Sequence, residues 1–189
     1  MDVQKLLELL STAERLKDVT RHCYTSGGRR ESVAEHCWRT ALMAYWVSDE
    51  FPDIDHEKLI KLCLIHDLGE VFTGDIPAFE KTQSDRDREH DLLMEWLRSL
   101  PNPFASEMEA MFRELDALQT PEAKICKALD NLEALIQHNE ADLKTWLPLE
   151  YDLQMTYGND TTAFSDYLKA LRDEIRADSR RKIEKGTSK

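Results

Sequence analysis

No apolar run in this chain approaches the ~20 residues a bilayer-spanning helix demands, so no membrane span is expected. The opening residues, Met1-Asp2-Val3-Gln4-Lys5, carry no cationic stretch ahead of an apolar core. No signal peptide is therefore expected, and the cytoplasm is the expected compartment. Cysteine is sparse. Cys23, Cys37, Cys63 and Cys126 stand singly in apolar segments and form no C-x-x-C pair. That excludes a disulfide framework or a zinc knuckle and reads as reduced core thiols. Positive charge is also short, with 25 Lys and Arg against 37 Asp and Glu and a net charge of −12. Nucleic-acid polymers and anionic membranes require a basic footprint, so neither is expected as a partner. A small phosphorylated ligand needs only a few local cations and a metal, and remains open. Strand-like alternation, internal repeats and low-complexity linkers are absent as well. At 189 residues the chain is expected to form one domain with a substantial core.

What is present reads as helix. Leu6, Leu7, Leu10, Ala13 and Leu16 recur at helical spacing from about Val3. Arg21 to Glu31 reads as a polar loop with Gly27-Gly28 and three arginines, Arg21, Arg29 and Arg30, either solvated or an anion clamp. Ser32-Val33-Ala34-Glu35 fits a capping box and starts a second helix, with His36 in its first turns. A central helix is expected from His56 to Leu68. Ser84-Asp85-Arg86-Asp87 reads as another capping box, ahead of Leu92, Leu93, Trp96 and Leu97. A further helix is expected from Ser106. Thr120-Pro121-Glu122 opens one that runs to about His138. The last is expected from near Thr161, with residues 177–189 as a charged tail that frays or projects from an ordered core of about 3–176. The fold class is all-α, a compact single-domain bundle of some six to nine helices.

One stretch dominates the chemistry. Leu62-Cys63-Leu64-Ile65 is apolar nearly all round a helix and runs into His66-Asp67, with Glu70 three residues beyond. A carboxylate at the end of a buried element needs a cation, a metal or several hydrogen bonds. The pair is thus a metal site, a buried polar network, or a helix cap bonded to nearby backbone. Gly74 and Pro77 end regular structure and keep Asp75 close to that helix end. Further on, Asp130 lies about 140° from the Ile125-Leu129-Leu132-Ile136 stripe at ~100° per residue, and periodicity alone turns it to solvent.

Three blocks in order carry a resemblance. They are Glu31-Ser32-Val33-Ala34-Glu35-His36, then His66-Asp67-Leu68-Gly69-Glu70-Val71-Phe72-Thr73-Gly74-Asp75-Ile76-Pro77, then Lys127-Ala128-Leu129-Asp130. The set resembles the HD-domain phosphohydrolases, in the branch typified by the 5′-deoxynucleotidases. The resemblance implies an HD-type helical fold and a metal held by His36, His66, Asp67 and Asp130. It turns Asp130 toward a cleft instead of bulk water. It implies one divalent ion, whether cobalt, manganese, iron or zinc, because imidazole and carboxylate donors suit several. Such an ion acidifies a water and neutralises a phosphoryl oxygen. Glu70 and Asp75 are implied beside the scissile phosphate, Glu70 as water-positioner and Asp75 as proton donor. Arg21 stands at the matching distance ahead of His36 to hold the phosphate, but His22 follows it where related bacterial enzymes have Trp. The implied substrate is a deoxyribonucleoside 5′-monophosphate, and the implied assembly a homodimer. Competing readings are a triphosphate or another small phosphate ester as substrate, a two-iron oxygenase, and a non-catalytic nucleotide-binding module.

Overall fold

The computed structural model describes residues 1–187. Helix α1 is Val3–Glu14, followed by strands β1, Thr20–Tyr24, and β2, Arg30–Ser32. Helices α2, Val33–Trp46, and α3, His56–Ile65, come next, then the single turn α4, Glu70–Thr73. Helices α5, Gln83–Arg98, and α6, Phe104–Ala117, lead to the long α7, Pro121–Glu140. Three more follow: α8, Glu150–Thr156, α9, Asn159–Thr162, and α10, Asp166–Thr187.

The centre is a packed trio of α2, α3 and α7. Ala41, Ala44 and Val47 meet Leu59, Leu62 and Cys63, and both sets meet Ile125, Leu129 and Leu132. Leu168 and Ile175 of α10 close this cluster. Each buried leucine stabilises the fold by about 1.5–3 kcal/mol. A second cluster joins Val33 and Cys37 of α2 to Leu68, Val71, Leu93, Leu97 and Phe112. Helix α2 thus feeds both clusters, and His36 sits on it one residue before Cys37.

The caps set the helix starts. Ser32 accepts from Glu35 N, and the Glu35 carboxylate accepts from Ser32 N at 2.9 Å, as the capping box requires. Thr120 caps α7 with Pro121 behind it, and Asp55 caps α3. Four expectations are corrected. The cap of α5 is Thr82, closing its box with Asp85, and Ser84 lies inside the helix. Both pairs fit the same spacing, so the pattern alone could not choose. The helix expected to reach Leu68 stops at Ile65, because 66–69 form turns in which Leu68 N donates to Ile65 O and Glu70 N to Asp67 O. The polar loop after Arg21 is an antiparallel hairpin pairing Thr20 with Ser32 and Tyr24 with Arg30. Gly28, at φ +84°, makes its turn. Finally, α10 starts at Asp166 and stays helical through Thr187, with Ser179 buried and bonded to Asn139 and Gln154. Residues 188 and 189 of the expected tail lie outside the described residues. None of α1 is fully buried, and Val3, Leu6, Leu7 and Leu10 are exposed. No described helix is long and apolar enough to cross a membrane.

Candidate metal centre and its cleft

Three elements converge on one point. His36 comes from the start of α2, His66 and Asp67 from the turn ending α3, and Asp130 from the middle of α7. One donor atom from each of these four side chains lies within 4.8 Å of the others. His36 Nε2 is 3.2 Å from His66 Nε2, 3.1 Å from Asp130 Oδ1 and 3.6 Å from Asp67 Oδ2. His66 Nε2 is 3.2 Å from Asp67 Oδ2. The stripe of α7 faces the core beside α3, and Asp130, off that stripe, faces the cleft as the resemblance implies.

The imidazoles are aimed by their outer nitrogens. His66 Nδ1 lies 2.8 Å from the Cys63 carbonyl, which only an N–H can satisfy. Its Nε2 lone pair is then turned to the centre. His36 Nδ1 bonds Glu133, a carboxylate with no exposure at all. Glu133 also accepts from Arg39 Nε at 2.6 Å. A carboxylate behind a ligating imidazole fixes its tautomer and raises its basicity. Sequence reasoning missed Glu133. The available signal was its place three residues after Asp130, the spacing that puts two side chains on one helical face.

Charge distribution tests whether a cation fits. Burial opposes charging His66, yet Asp67, Cys37 and Asp130 hold its pKa well above the ordinary value. His36 is raised too, against burial and Arg21, by Glu133 and Asp130. Asp67 and Asp130 are lowered despite burial, Asp67 chiefly by His66 and Asp130 chiefly by Lys127 and the two histidines. The cluster therefore gathers positive charge to itself. Two inward imidazole nitrogens and two carboxylate oxygens fit a divalent ion.

The centre lies in the wall of a cleft of about 350 Å³ lined also by Arg21, His22, Glu70, Asp75, Phe79 and Tyr157. Arg21 is buried in β1, with NH1 3.5 Å from Asp67 Oδ2 and Nε 3.3 Å from Glu31 Oε2. Glu31, unassigned by sequence, is thus an ion-pair partner of the arginine alongside Asp67. Gly74, at φ +80°, ends α4 and turns the chain back so that Asp75 and Glu70 line the same cleft. Burial, then the Asp67 and Asp75 charges, push the Glu70 carboxyl up to about 10. Glu70 Oε2 is buried without a hydrogen-bond partner. Burial raises Asp75 as well. The spare arginines fall elsewhere: Arg29 pairs with Glu35 and Arg30 lies over the Tyr24 ring.

The HD-domain family model matches residues 13–172. The chain belongs to the HD-domain family. Among its relatives, the 5′-deoxynucleotidase HDDC2 of Danio rerio is 32% identical over 142 residues, covering 73% of this chain and 70% of that one. The HD domain also superposes on a predicted metal-dependent phosphohydrolase of Magnetospirillum magnetotacticum MS-1, with a TM-score of 0.78 at 24% identity over 95% and 96% of the two chains. It is similar as well to the cyanophage S-2L HD phosphohydrolase DatZ, bound to dA and one catalytic Zn²⁺ ion. That likeness has a TM-score of 0.56 at 24% identity over 93% of this chain and 96% of DatZ. At these identities the two solved structures speak for the fold alone.

Proposed function

We propose that this HD domain is a divalent-metal-dependent 5′-nucleotidase that removes phosphate from deoxyribonucleoside 5′-monophosphates. The observation that carries it is the convergence of the His36, His66, Asp67 and Asp130 donor atoms within 4.8 Å, in a cleft shared with Arg21, Glu70 and Asp75. The relatedness to a 5′-deoxynucleotidase supports the substrate class. One ion of the cobalt, manganese, iron or zinc group would be held by His36, His66, Asp67 and Asp130. When bound, it supplies an acidified water and charge neutralisation at phosphorus.

The chain's own residues do the rest. Arg21, paired with Glu31, offers its guanidinium to two phosphoryl oxygens. Glu70 lines the cleft, keeps one carboxyl oxygen without a hydrogen-bond partner, and orients the attacking water. A water that has released one proton to solvent bonds through its oxygen to phosphorus as the bond from phosphorus to the nucleoside 5′-oxygen breaks. Asp75, which lines the same cleft, gives a proton to that leaving oxygen and regains one from solvent. The four cysteines are free and buried, which supports a reducing, cytoplasmic compartment. The exposed apolar row on α1 supports a homodimer, to be checked by light scattering.

The test strips the protein with a chelator, restores single divalent ions, and measures phosphate release. The panel holds deoxyribonucleoside and ribonucleoside mono- and triphosphates, with Asp67→Ala as control. Ion-dependent release from deoxyribonucleoside monophosphates, lost in the variant, is the expected result. No release from any nucleotide by the ion-loaded protein would overturn the reading.

A further inference from the structure

We propose that His22, His138 and Glu150 form a second divalent-cation site, of the zinc class, on the wall of the same cleft. The three come from separate elements: β1, the last turn of α7, and the start of α8. A donor atom from each lies within 4.8 Å of the other two. Both imidazoles aim Nε2 at one oxygen, Glu150 Oε1, His22 from 2.8 Å and His138 from 3.4 Å.

The contact is closer for His22 than for its neighbour. His22 makes a hydrogen bond to Glu150, and the His138 imidazole, only 8% exposed, meets the same oxygen at 3.4 Å. Two buried or half-buried imidazoles converging on one carboxylate oxygen are the arrangement a divalent cation would bridge. Around a tetrahedral zinc, with bonds of about 2.0–2.1 Å, neighbouring donor atoms stand roughly 3.3 Å apart. His138 and Glu150 already keep that spacing. His22 would have to retreat by only about half an ångström on the same geometry. The other Glu150 oxygen is fixed, accepting from Leu147 N at 2.6 Å. The rings are fixed too, His22 edge-on to Phe79 at 5.4 Å and His138 edge-on to Trp146 at 6.1 Å. Two nitrogens and one carboxylate oxygen form a set that zinc accepts with a fourth position left open. All three residues line the cleft, so that position opens into it. The Arg21 charge near His138 opposes a cation, and the Glu133 charge favours one. The proposal does not depend on the nucleotidase reading, because its test counts ions.

Protein saturated with Zn²⁺, freed of unbound metal by gel filtration, is assayed by inductively coupled plasma mass spectrometry. The wild type should carry two ions per chain and Glu150→Gln one. Asp67→Asn should also carry one, at the His22 site. One ion in both wild type and Glu150→Gln, or two in both, would overturn the proposal. One in the wild type and none in Glu150→Gln would uphold this site and empty the His36 centre. Glu150 is buried, so His22→Ala, on the more exposed ligand, is measured beside it with circular dichroism as the fold check. If Glu150→Gln does not fold, an unchanged ion count in His22→Ala overturns the proposal.

Discussion

Glu133→Gln isolates what the buried carboxylate does for the metal centre. Glu133 holds His36 Nδ1 with one oxygen and Arg39 Nε with the other, and no part of it reaches solvent. An amide keeps the shape but offers one acceptor and one donor group. Its nitrogen must then face either an imidazole N–H or a guanidinium N–H, and one bond becomes a clash of donors. Arg39 keeps its second partner, Glu140, at 2.6 Å, so the loss falls on His36. Outer-shell substitutions of this kind weaken metal affinity by about 10–100-fold, which is roughly 1.4–2.7 kcal/mol. A buried donor left unsatisfied destabilises by a further ~1–3 kcal/mol, seen in the metal-free protein as well. Zinc affinity is read by competition with a chromogenic chelator, and stability by urea denaturation of the stripped protein. A variant that still unfolds cooperatively but binds zinc within twofold of wild type would refute the coupling of Glu133 to the ligand. Arg39→Met, which leaves the His36 bond intact, should move affinity far less.

Other outcomes follow from the same geometry. Arg21→Lys should raise KM for a nucleotide about tenfold or more while kcat changes less, since an ammonium cannot grip two oxygens as a guanidinium does. Asp75→Asn should lower kcat and remove its dependence on pH at the alkaline limb, as seen in a pH–rate series. Thr82→Ala should destabilise by about 1 kcal/mol in thermal melts and Ser84→Ala by almost nothing, because only Thr82 caps α5. Burial lowers the His138 pKa to about 4, so the unfolded chain takes up that proton first as pH falls. Stability of the metal-free protein from this group is complete above about 6.5 and is lost as pH falls to about 4. At about 1.4 kcal/mol per pH unit the loss is about 3 kcal/mol, and His138→Gln should flatten that part of the urea-stability profile.

The helices and the four proposed ligands were legible in the sequence because each left a local mark. His66-Asp67 closes an apolar run, and Ser32 and Thr120 announce their helices by short-range caps. The hairpin left only a faint one. Its inward residues, Arg21 and Cys23, alternate as a strand requires, but one is charged and the run is five residues long. Glu31 and Glu133 were missed because a buried acid is recognised by its partners, and those stand far away in the chain. Thr82 and Ser84 show the opposite problem, since two residues satisfied one local rule and only the preceding turn decides between them. Asp130 required both kinds of information. Helical periodicity correctly took it off the core stripe but could not distinguish a cleft from open water.

The exposure of the centre is lopsided. The His36 side chain is wholly enclosed, while Asp67 and Asp130 keep 21% and 15% of theirs accessible. An ion should therefore enter and leave past the carboxylates, which line the same cleft as Arg21, Glu70 and Asp75. Substrate and chelator would therefore compete for one doorway without ever sharing a ligand. A nucleotide seated in the cleft should lengthen the residence time of the ion behind it, so that a working enzyme keeps its metal longer than an idle one.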